Sequence, residues 1–320
     1  MPNYPGISSE AFRHPLDRQA EQSLRSVPGF DLVARKFVEF IYERPRYIYL
    51  MGNSIQVGAR QFSSVYQIFR ECLQSLDISP EPALFVSQSP VVNAYALGQE
   101  RPCVVLNSEL LDLLSETELR SVIAHELGHL KCGHTTLMQM ATWAYFAIAG
   151  LSELTFGLSS LISTGLIMAF YEWLRKAELS ADRASLLVTD DLNLTLTGMM
   201  QLAGGSKKYA HEMNLEELIK QSDRYQALDE DQLNQFYKFS LYNDLSSGVF
   251  QSHPFTIERI RFLQEWANSS EFQNIRQGNY VRVGAEGSVE TNPQTEEADR
   301  LRREIEALQQ EIERLRRDDS

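Results

Sequence analysis

The segment HELGH at residues 125–129 is the feature that most constrains this chain. On an α-helix, residues four positions apart lie on one face, so His125 and His129 can bind the same metal ion while Glu126 stays beside it. A capping-box pattern that begins at Ser115, followed by apolar residues at helical spacing, predicts a helix here. HExxH on a helix is typical of zinc-dependent hydrolases. The segment therefore predicts a hydrolytic zinc site.

A third ligand is required, because a catalytic zinc ion is held by three protein ligands and keeps one position open. The segment ELSAD at residues 178–182 places Glu178 and Asp182 four residues apart on a predicted helix. Glu178 would bind zinc through one oxygen, and Asp182 would accept a hydrogen bond from the non-ligating nitrogen of His125 or His129. The carboxylate inside HExxH is then free to act as general base. An ExxxD pair alone is common on solvated helix faces, but its combination with HExxH favours the metal site.

His134 lies five residues after His129 and off the metal-facing side of the helix. Its register differs by one residue from the third histidine of the metzincin pattern. We therefore interpret His134 as a histidine at a helix end and not as a ligand.

Four motifs together resemble the gluzincin metallopeptidase family that includes the HtpX heat-shock protease, the CAAX prenyl proteases and BepA-type periplasmic proteases. The motifs are the two segments above, Asn93-Ala94-Tyr95-Ala96 before the HExxH helix, and Ser252-His253-Pro254 followed by Arg259. The resemblance covers residues 60 to about 265. It implies an α+β, mainly helical, zincin-like fold with a small β-sheet and the activity of a zinc metalloendopeptidase.

The resemblance also implies roles for individual residues. It implies one zinc ion per chain, bound by His125, His129 and Glu178. Glu126 would be the catalytic base, and Asp182 would support a ligand. His253 would either stabilise the oxyanion or cap the zinc as a fourth ligand in a resting state. The alternative for His253 and Arg259 is a His-Pro helix start and a surface ion pair.

A β-hairpin is predicted from the alternation over 91–97 and 103–106, which a turn at 98–102 separates. By the resemblance, the strand that carries Asn93, Ala94, Tyr95 and Ala96 is an exposed sheet edge. An extended substrate could add to that edge as a further strand, held by main-chain hydrogen bonds. The alternative is that the hairpin only covers the core.

The stretch 132–171 is apolar and contains Glu153 as its only charged side chain. Each of its two arms is shorter than the roughly 20 residues that a spanning helix needs. A helical hairpin that turns near Glu153 would bring Glu178 back level with the histidines. Such an apolar hairpin over 137–171 needs a partner, which would be lipid or a second subunit. We expect membrane association with the catalytic domain in the cytoplasm; a soluble cytoplasmic protein is the alternative.

Composition narrows the classes of partner and compartment. A net charge of −13 and a pI near 5.0 argue against nucleic acid as a partner. Three cysteines, Cys72, Cys103 and Cys132, show no CxxC spacing, which indicates no disulfide scaffold. Residues 1–29 lack an apolar secretory core, so a cytoplasmic location is expected.

The chain is predicted to comprise an N-terminal arm and helix (1–59), a peptidase domain (60–270), a linker (271–293) and a short coiled-coil tail (294–320). A helix over 30–42 should end at Arg44-Pro45. The tail carries a heptad seam that would support a homo-oligomer, with a solvated single helix as the alternative.

The expected function is cleavage of extended or misfolded protein segments in quality control or processing. The rival is a non-catalytic, zinc-stabilised membrane or coiled-coil adaptor.

Overall fold

The computed structural model describes residues 2–31, 43–148, 164–228 and 256–284, with the single positions 34, 37, 235, 239 and 253. Met1–Arg282 cluster as one compact unit and Val283–Ser320 as a second. The predicted coiled-coil tail, residues 285–293 of the predicted linker and the tip of the apolar hairpin at 149–163 lie outside the described residues. The domain limits stay a prediction.

The described part of the chain is mainly helical with one small sheet. Its α-helices are α1 Pro15–Arg25, α2 Glu43–Asn53, α3 Ser63–Ser75, α4 Ser108–Leu113, α5 Glu116–Lys131, α6 Thr135–Ile148, α7 Thr164–Thr189, α8 Leu192–Gly204, α9 Leu215–Gln226, α10 Thr256–Ala267 and α11 Ser270–Arg276. Short 3₁₀ helices cover Ser9–Ala11 and Ala210–Glu212. The strands are β1 Ile55–Gln56, β2 Ala83–Ser87, β3 Ala94–Leu97 and β4 Cys103–Asn107.

The sheet has the strand order β1-β2-β4-β3. The central strands β2 and β4 run parallel, whereas β3 pairs with β4 antiparallel, as the sequence predicted for the hairpin. β4 is rich in apolar side chains and buried along its whole length, which suits a strand covered on both faces. β3 is an edge strand, so one side of its main chain is not paired within the sheet.

The HExxH helix α5 packs against α7, which carries the ELSAD segment. Helix α5 begins with the predicted capping box. In it, the Ser115 side chain accepts from the Glu118 N–H and the Glu118 side chain accepts from the Ser115 N–H. A Cβ atom added at Gly128 would lie 2.7 Å from the Cβ of Ala184 and 3.1 Å from the Cα of Ala181. Glycine therefore lets the two helices approach closely enough to share one site.

The N-terminal residues do not form a detached arm. Ile7 and Phe12 are fully buried in the main core beside α3, α5 and α11 residues, and Asp17 is fully buried in α1. Arg44 and Pro45 lie in α2, whereas residues 38–42, where the helix predicted over 30–42 would end, lie outside the described residues. Pro45 lies near the start of α2, where proline costs little since no intrahelical donor is lost.

A second buried cluster joins the base of the apolar hairpin to the N-terminal region. Leu137 and Met140 of α6 pack with Phe170 and Trp173 of α7 and with Leu24 of α1. The described ends of the hairpin thus have partners within their own chain. Among the described helices, none combines the length and apolar character that a membrane span requires.

Candidate metal and catalytic site

Two histidine nitrogens and a carboxylate converge between α5 and α7. The Nε2 atoms of His125 and His129 lie 3.2 Å apart. The Glu178 oxygens lie 3.3 Å from His125 Nε2 and 3.1 Å from His129 Nε2. With His253 included, one ligand atom from each residue falls within a group 4.8 Å across. The structure therefore brings together all three residues predicted to bind the metal.

The opposite nitrogen of His125 faces Asp182. Its Nδ1 lies 3.0 Å from Asp182 Oδ1, which resolves the choice between the two histidines that the sequence left open. Arg259 of α10 donates to Asp182 Oδ2 at 2.7 Å and to Glu178 Oε2 at 2.6 Å. Burial acts to raise the pKa of Asp182, but Arg259 and His125 more than offset this, so the pKa is lowered. An ionised carboxylate accepts only, so His125 Nδ1 donates to Asp182, and Nε2 is the ring nitrogen left to face a metal ion.

The opposite nitrogen of His129 has a different partner, which sequence reasoning missed. His129 Nδ1 lies 3.0 Å from His134 Nδ1, and His134 Nε2 lies 3.0 Å from Asp17 Oδ2. His134 stands at the start of α6, after the turn at Gly133 where φ is +71°. It is not in the metal-binding group, as predicted, but it is buried beside that group.

Glu126 lies beside the metal-facing atoms and lines the same cleft. Burial raises its pKa, which the neighbouring His253 and His125 partly counteract. The Oε2 atom of Glu126 has no hydrogen-bond partner within the described part of the chain. A buried carboxylate oxygen without a partner is costly, which indicates that it serves a group that arrives from the cleft.

His253 closes one side of the site. Its Nδ1 lies 3.1 and 3.2 Å from the two oxygens of Glu178, and its Nε2 donates to the main-chain carbonyl of Ala94 at 3.0 Å. Nε2 is also 3.4 Å from Glu126 Oε1. His253 therefore touches the metal-facing carboxylate and the edge strand β3 together.

The donor set fits zinc. The two Nε2 atoms and a carboxylate point at one place, and a metal cation bound there would satisfy all three. Burial lowers the pKa of His125, but Glu178 and Asp182 reverse this and raise it to about 10. The carboxylates therefore require positive charge at this place. Imidazole nitrogens with one carboxylate are ligands that zinc prefers in catalytic sites.

A cleft of about 500 Å³ opens on His125, Glu126 and His253. Its floor is formed by α5, and its walls include the start of β3 and apolar residues of α8, such as Met199 and Leu202. Of the β3 motif, Asn93 and Ala94 line the cleft, whereas Tyr95 packs in a separate cluster with Phe85 and Val105.

A second cleft of about 510 Å³ lies at the other end of the sheet and is lined by Tyr47, Glu81 and Arg101 among others. The described residues that line it include no histidine. The chemistry therefore belongs to the cleft at α5.

Comparison with known proteins agrees with this geometry. The model of peptidase family M48 matches residues 59–267. The chain is 32% identical over 277 residues to the plastoglobule-localized metallopeptidase 48, chloroplastic, of Arabidopsis thaliana, which covers 84% of this chain and 76% of the relative. It is 25% identical to a protease HtpX homolog of Polynucleobacter necessarius subsp. necessarius, over 69% of this chain and 80% of the relative. Over 105 residues it is 31% identical to metalloprotease YcaL of Escherichia coli, covering 33% of this chain and 40% of the relative.

No solved structure was found to match the chain. The family match spans both ligand-bearing helices and the described metal group. The chain therefore belongs to peptidase family M48 and is a zinc metalloprotease.

Proposed function

We propose that this chain is a zinc endopeptidase that cleaves extended or misfolded protein segments. One observation carries the proposal: Glu126, whose Oε2 has no hydrogen-bond partner among the described residues, lines the same cleft as His125, on which the donors of His129 and Glu178 converge. A zinc site that only stabilises a fold does not need an ionisable group beside it. The non-catalytic adaptor has no comparable support.

Glu126 acts as the general base and then as the general acid. Zinc held by the three ligands would supply Lewis acidity that activates water and polarises a carbonyl. Glu126 Oε2 accepts the proton of the attacking water and later delivers it to the leaving amine nitrogen. The raised pKa of Glu126 suits both directions of this transfer, because burial weakens its preference for the ionised form.

The substrate binds as an added strand on β3. The Asn107 N–H donates to the Asn93 carbonyl, so main-chain groups of alternate residues face β4. Those of Ala94 and Ala96 face the free edge. Backbone pairing at this edge would hold a peptide over the donors without requiring a particular sequence.

His253 is a resting-state cap in this proposal. It contacts Glu178 and holds the Ala94 carbonyl that an added strand would use. Substrate binding therefore requires the His253 ring to leave that carbonyl. Arg259 keeps Glu178 and Asp182 ionised and in place.

Membrane association through 137–171 and oligomerisation through 294–320 complete the proposal. The support is the nearly uncharged sequence of the first segment and the heptad seam of the second, which consists of Ala298, Leu301, Ile305, Leu308, Ile312 and Leu315. Co-sedimentation with liposomes tests the first, with Leu158→Ser and Leu161→Ser expected to reduce binding. Ile48→Ser, which alters an exposed apolar residue of α2, is the control. Loss of residues 294–320 should lower the particle mass in light scattering.

Degradation of an unfolded protein such as casein tests the enzymatic proposal. Glu126→Gln should lower the cleavage rate by at least about 10²-fold while zinc content stays at about one ion per chain. Glu116→Gln, which alters an exposed carboxylate at the start of the same helix, should leave the rate unchanged. Cleavage by Glu126→Gln at the wild-type rate would contradict the role of Glu126.

Peptide substrates with single N-methyl groups test the strand. Methylation removes one backbone donor at a time, so cleavage should fall at alternate positions because only every second N–H faces β3. Equal effects at neighbouring positions would contradict strand addition.

In the same assay, His253→Ala should raise the cleavage rate if His253 is a cap and lower it if His253 stabilises the oxyanion.

A further inference from the structure

The N-terminal segment reaches the back of the metal site through a chain of side chains. Asp17 of α1 is fully buried and lies 3.0 Å from His134 Nε2. The other ring nitrogen of His134 lies 3.0 Å from Nδ1 of His129, which is one of the residues that face the metal. The segment therefore connects to the site although it lies far from it in sequence.

The carboxylate of Asp17 determines the direction of the two hydrogen bonds that link it to His134 and His129. Burial acts to raise the pKa of Asp17, but His134 and Arg13 hold it well below its usual range, so the carboxylate only accepts. Nε2 of His134 must then donate to Asp17, and in the tautomer protonated only at Nε2 the lone pair of His134 lies on Nδ1. That lone pair accepts from His129 Nδ1–H, so the lone pair on His129 Nε2 faces the metal.

Asp17 is held in place by the helix that carries Glu178. Ser180 of α7 donates to Asp17 Oδ2 at 2.6 Å and accepts the His14 main-chain N–H at 3.0 Å. Arg13 donates to the same carboxylate at 2.9 Å. The ring of His134 meets Trp173 edge to face, with centroids 5.7 Å apart, which fixes its plane.

We propose that Asp17 and His134 are positioning residues that set the tautomer and orientation of His129, so that the N-terminal segment completes the metal site. The inference rests on the proposed role of His129 as a zinc ligand. It assigns a task to α1, whose residues precede the matched family region. Supporting groups behind a ligating histidine are worth about 10-fold to 100-fold in metal affinity.

Zinc affinity, measured by competition with a chelator on the full chain, tests the proposal separately from activity. His134→Leu fills the space of the imidazole with an apolar side chain of similar size but removes both hydrogen bonds. The affinity for zinc should therefore fall by about 10-fold to 100-fold. His134→Gln can accept from His129 and donate to Asp17, so it should stay within about threefold of the wild type. Asp17→Ala should resemble His134→Leu.

Leu24→Ala is the matched control, because Leu24 is fully buried in the same helix α1 but its apolar side chain takes no part in the hydrogen bonds between Asp17, His134 and His129. It should lower the unfolding midpoint while leaving zinc affinity within about threefold of the wild type. Comparable losses of affinity in Leu24→Ala and Asp17→Ala would overturn the proposal, as would wild-type affinity in a folded His134→Leu. If Asp17→Ala does not fold, the two His134 variants decide. Zinc binding without peptide cleavage in the wild type would contradict only the proposed function.

Discussion

The two histidines that face the metal are supported differently. His125 donates directly to the carboxylate of Asp182, which Arg259 holds from α10. His129 reaches its carboxylate, Asp17, only through the ring of His134. One support is a buried ion pair between neighbouring helices, whereas the other runs through the ring of His134 to a carboxylate on an N-terminal helix. The same chemical requirement is thus met by local packing on one side and by a distant segment on the other.

The direct support should be the more costly to break. Asp182→Ala leaves Arg259 buried without its main partner, so we expect a loss of about 3 to 5 kcal/mol in the free energy of unfolding. Zinc affinity should also fall by about 10-fold to 100-fold. Urea unfolding and chelator competition measure the two effects. Asp190→Asn, which removes the charge from the partly exposed pair with Arg276 just after α7 and tolerates the φ of +50° there, should cost less than about 1 kcal/mol. Equal losses in both variants would show that the buried pair is not special.

Gly128→Ala acts on both supports at once. The added methyl group would lie 2.7 Å from the Cβ of Ala184, so α5 must move away from α7. We expect the free energy of unfolding to fall by about 2 kcal/mol because of overpacking. This is the net loss, after the gain of about 1 kcal/mol that alanine brings over glycine in a helix. Because α5 moves, Gly128→Ala should also weaken zinc binding. The double variant Gly128→Ala with Ala184→Gly removes the clashing methyl group and should recover most of the zinc affinity. Failure of this rescue would place the strain elsewhere.

The N-terminal support should be the more sensitive to pH. Burial and the nearby Arg183 lower the pKa of His14 to about 4, so this residue is neutral in the folded protein. In the unfolded chain its pKa is about 6.5. The unfolded state therefore binds more protons between these values, and stability present above pH about 6.5 is lost as pH falls towards about 4. The loss is on the order of 2 kcal/mol after allowance for solvent contact.

His14→Asn should flatten this pH dependence without removing the helix cap. His14 accepts from the Leu16 N–H at the start of α1, and asparagine caps helices in the same way. Thermal unfolding of both proteins across this pH range measures the effect. An unchanged slope would assign the pH dependence to other groups.

The smallest effect is expected at Arg13, which is partly exposed and is one of three donors to Asp17. Arg13→Gln should cost about 1.5 kcal/mol and leave zinc affinity within about twofold, since His134 and Ser180 remain. The same substitution at Arg259 should cost at least twice as much, because that guanidinium is buried with two carboxylates. Similar costs at both positions would remove the distinction between the two supports.

The sequence predicted one support and missed the other for a physical reason. Asp182 follows Glu178 by four residues, and helical periodicity alone places both on one face. Asp17 and His134 are 117 residues apart, and no local period reports such a contact. The register of His134 argues against a ligand and favours a helix-end histidine, but its position shortly after HExxH also suits a group that supports a ligand. The polar composition of residues 1–29 suggested an arm, whereas its few apolar residues, such as Ile7 and Phe12, are fully buried.

The edge strand β3 was predictable because alternation and turn residues are local signals. The helix α2 was not predicted, because Arg44-Pro45 was interpreted only as a stop signal, although proline is also well tolerated near the start of a helix.

The close contact at Gly128 has a consequence for how the metal enters and leaves. Both ligand-bearing helices are held by buried packing, so the spacing between the histidines and Glu178 exists before any ion arrives. Little conformational entropy is then lost when the ion binds, unlike in small zinc domains that fold only with metal. The protein without metal should keep its helices. Ions of similar radius should then exchange at ligands whose positions do not change.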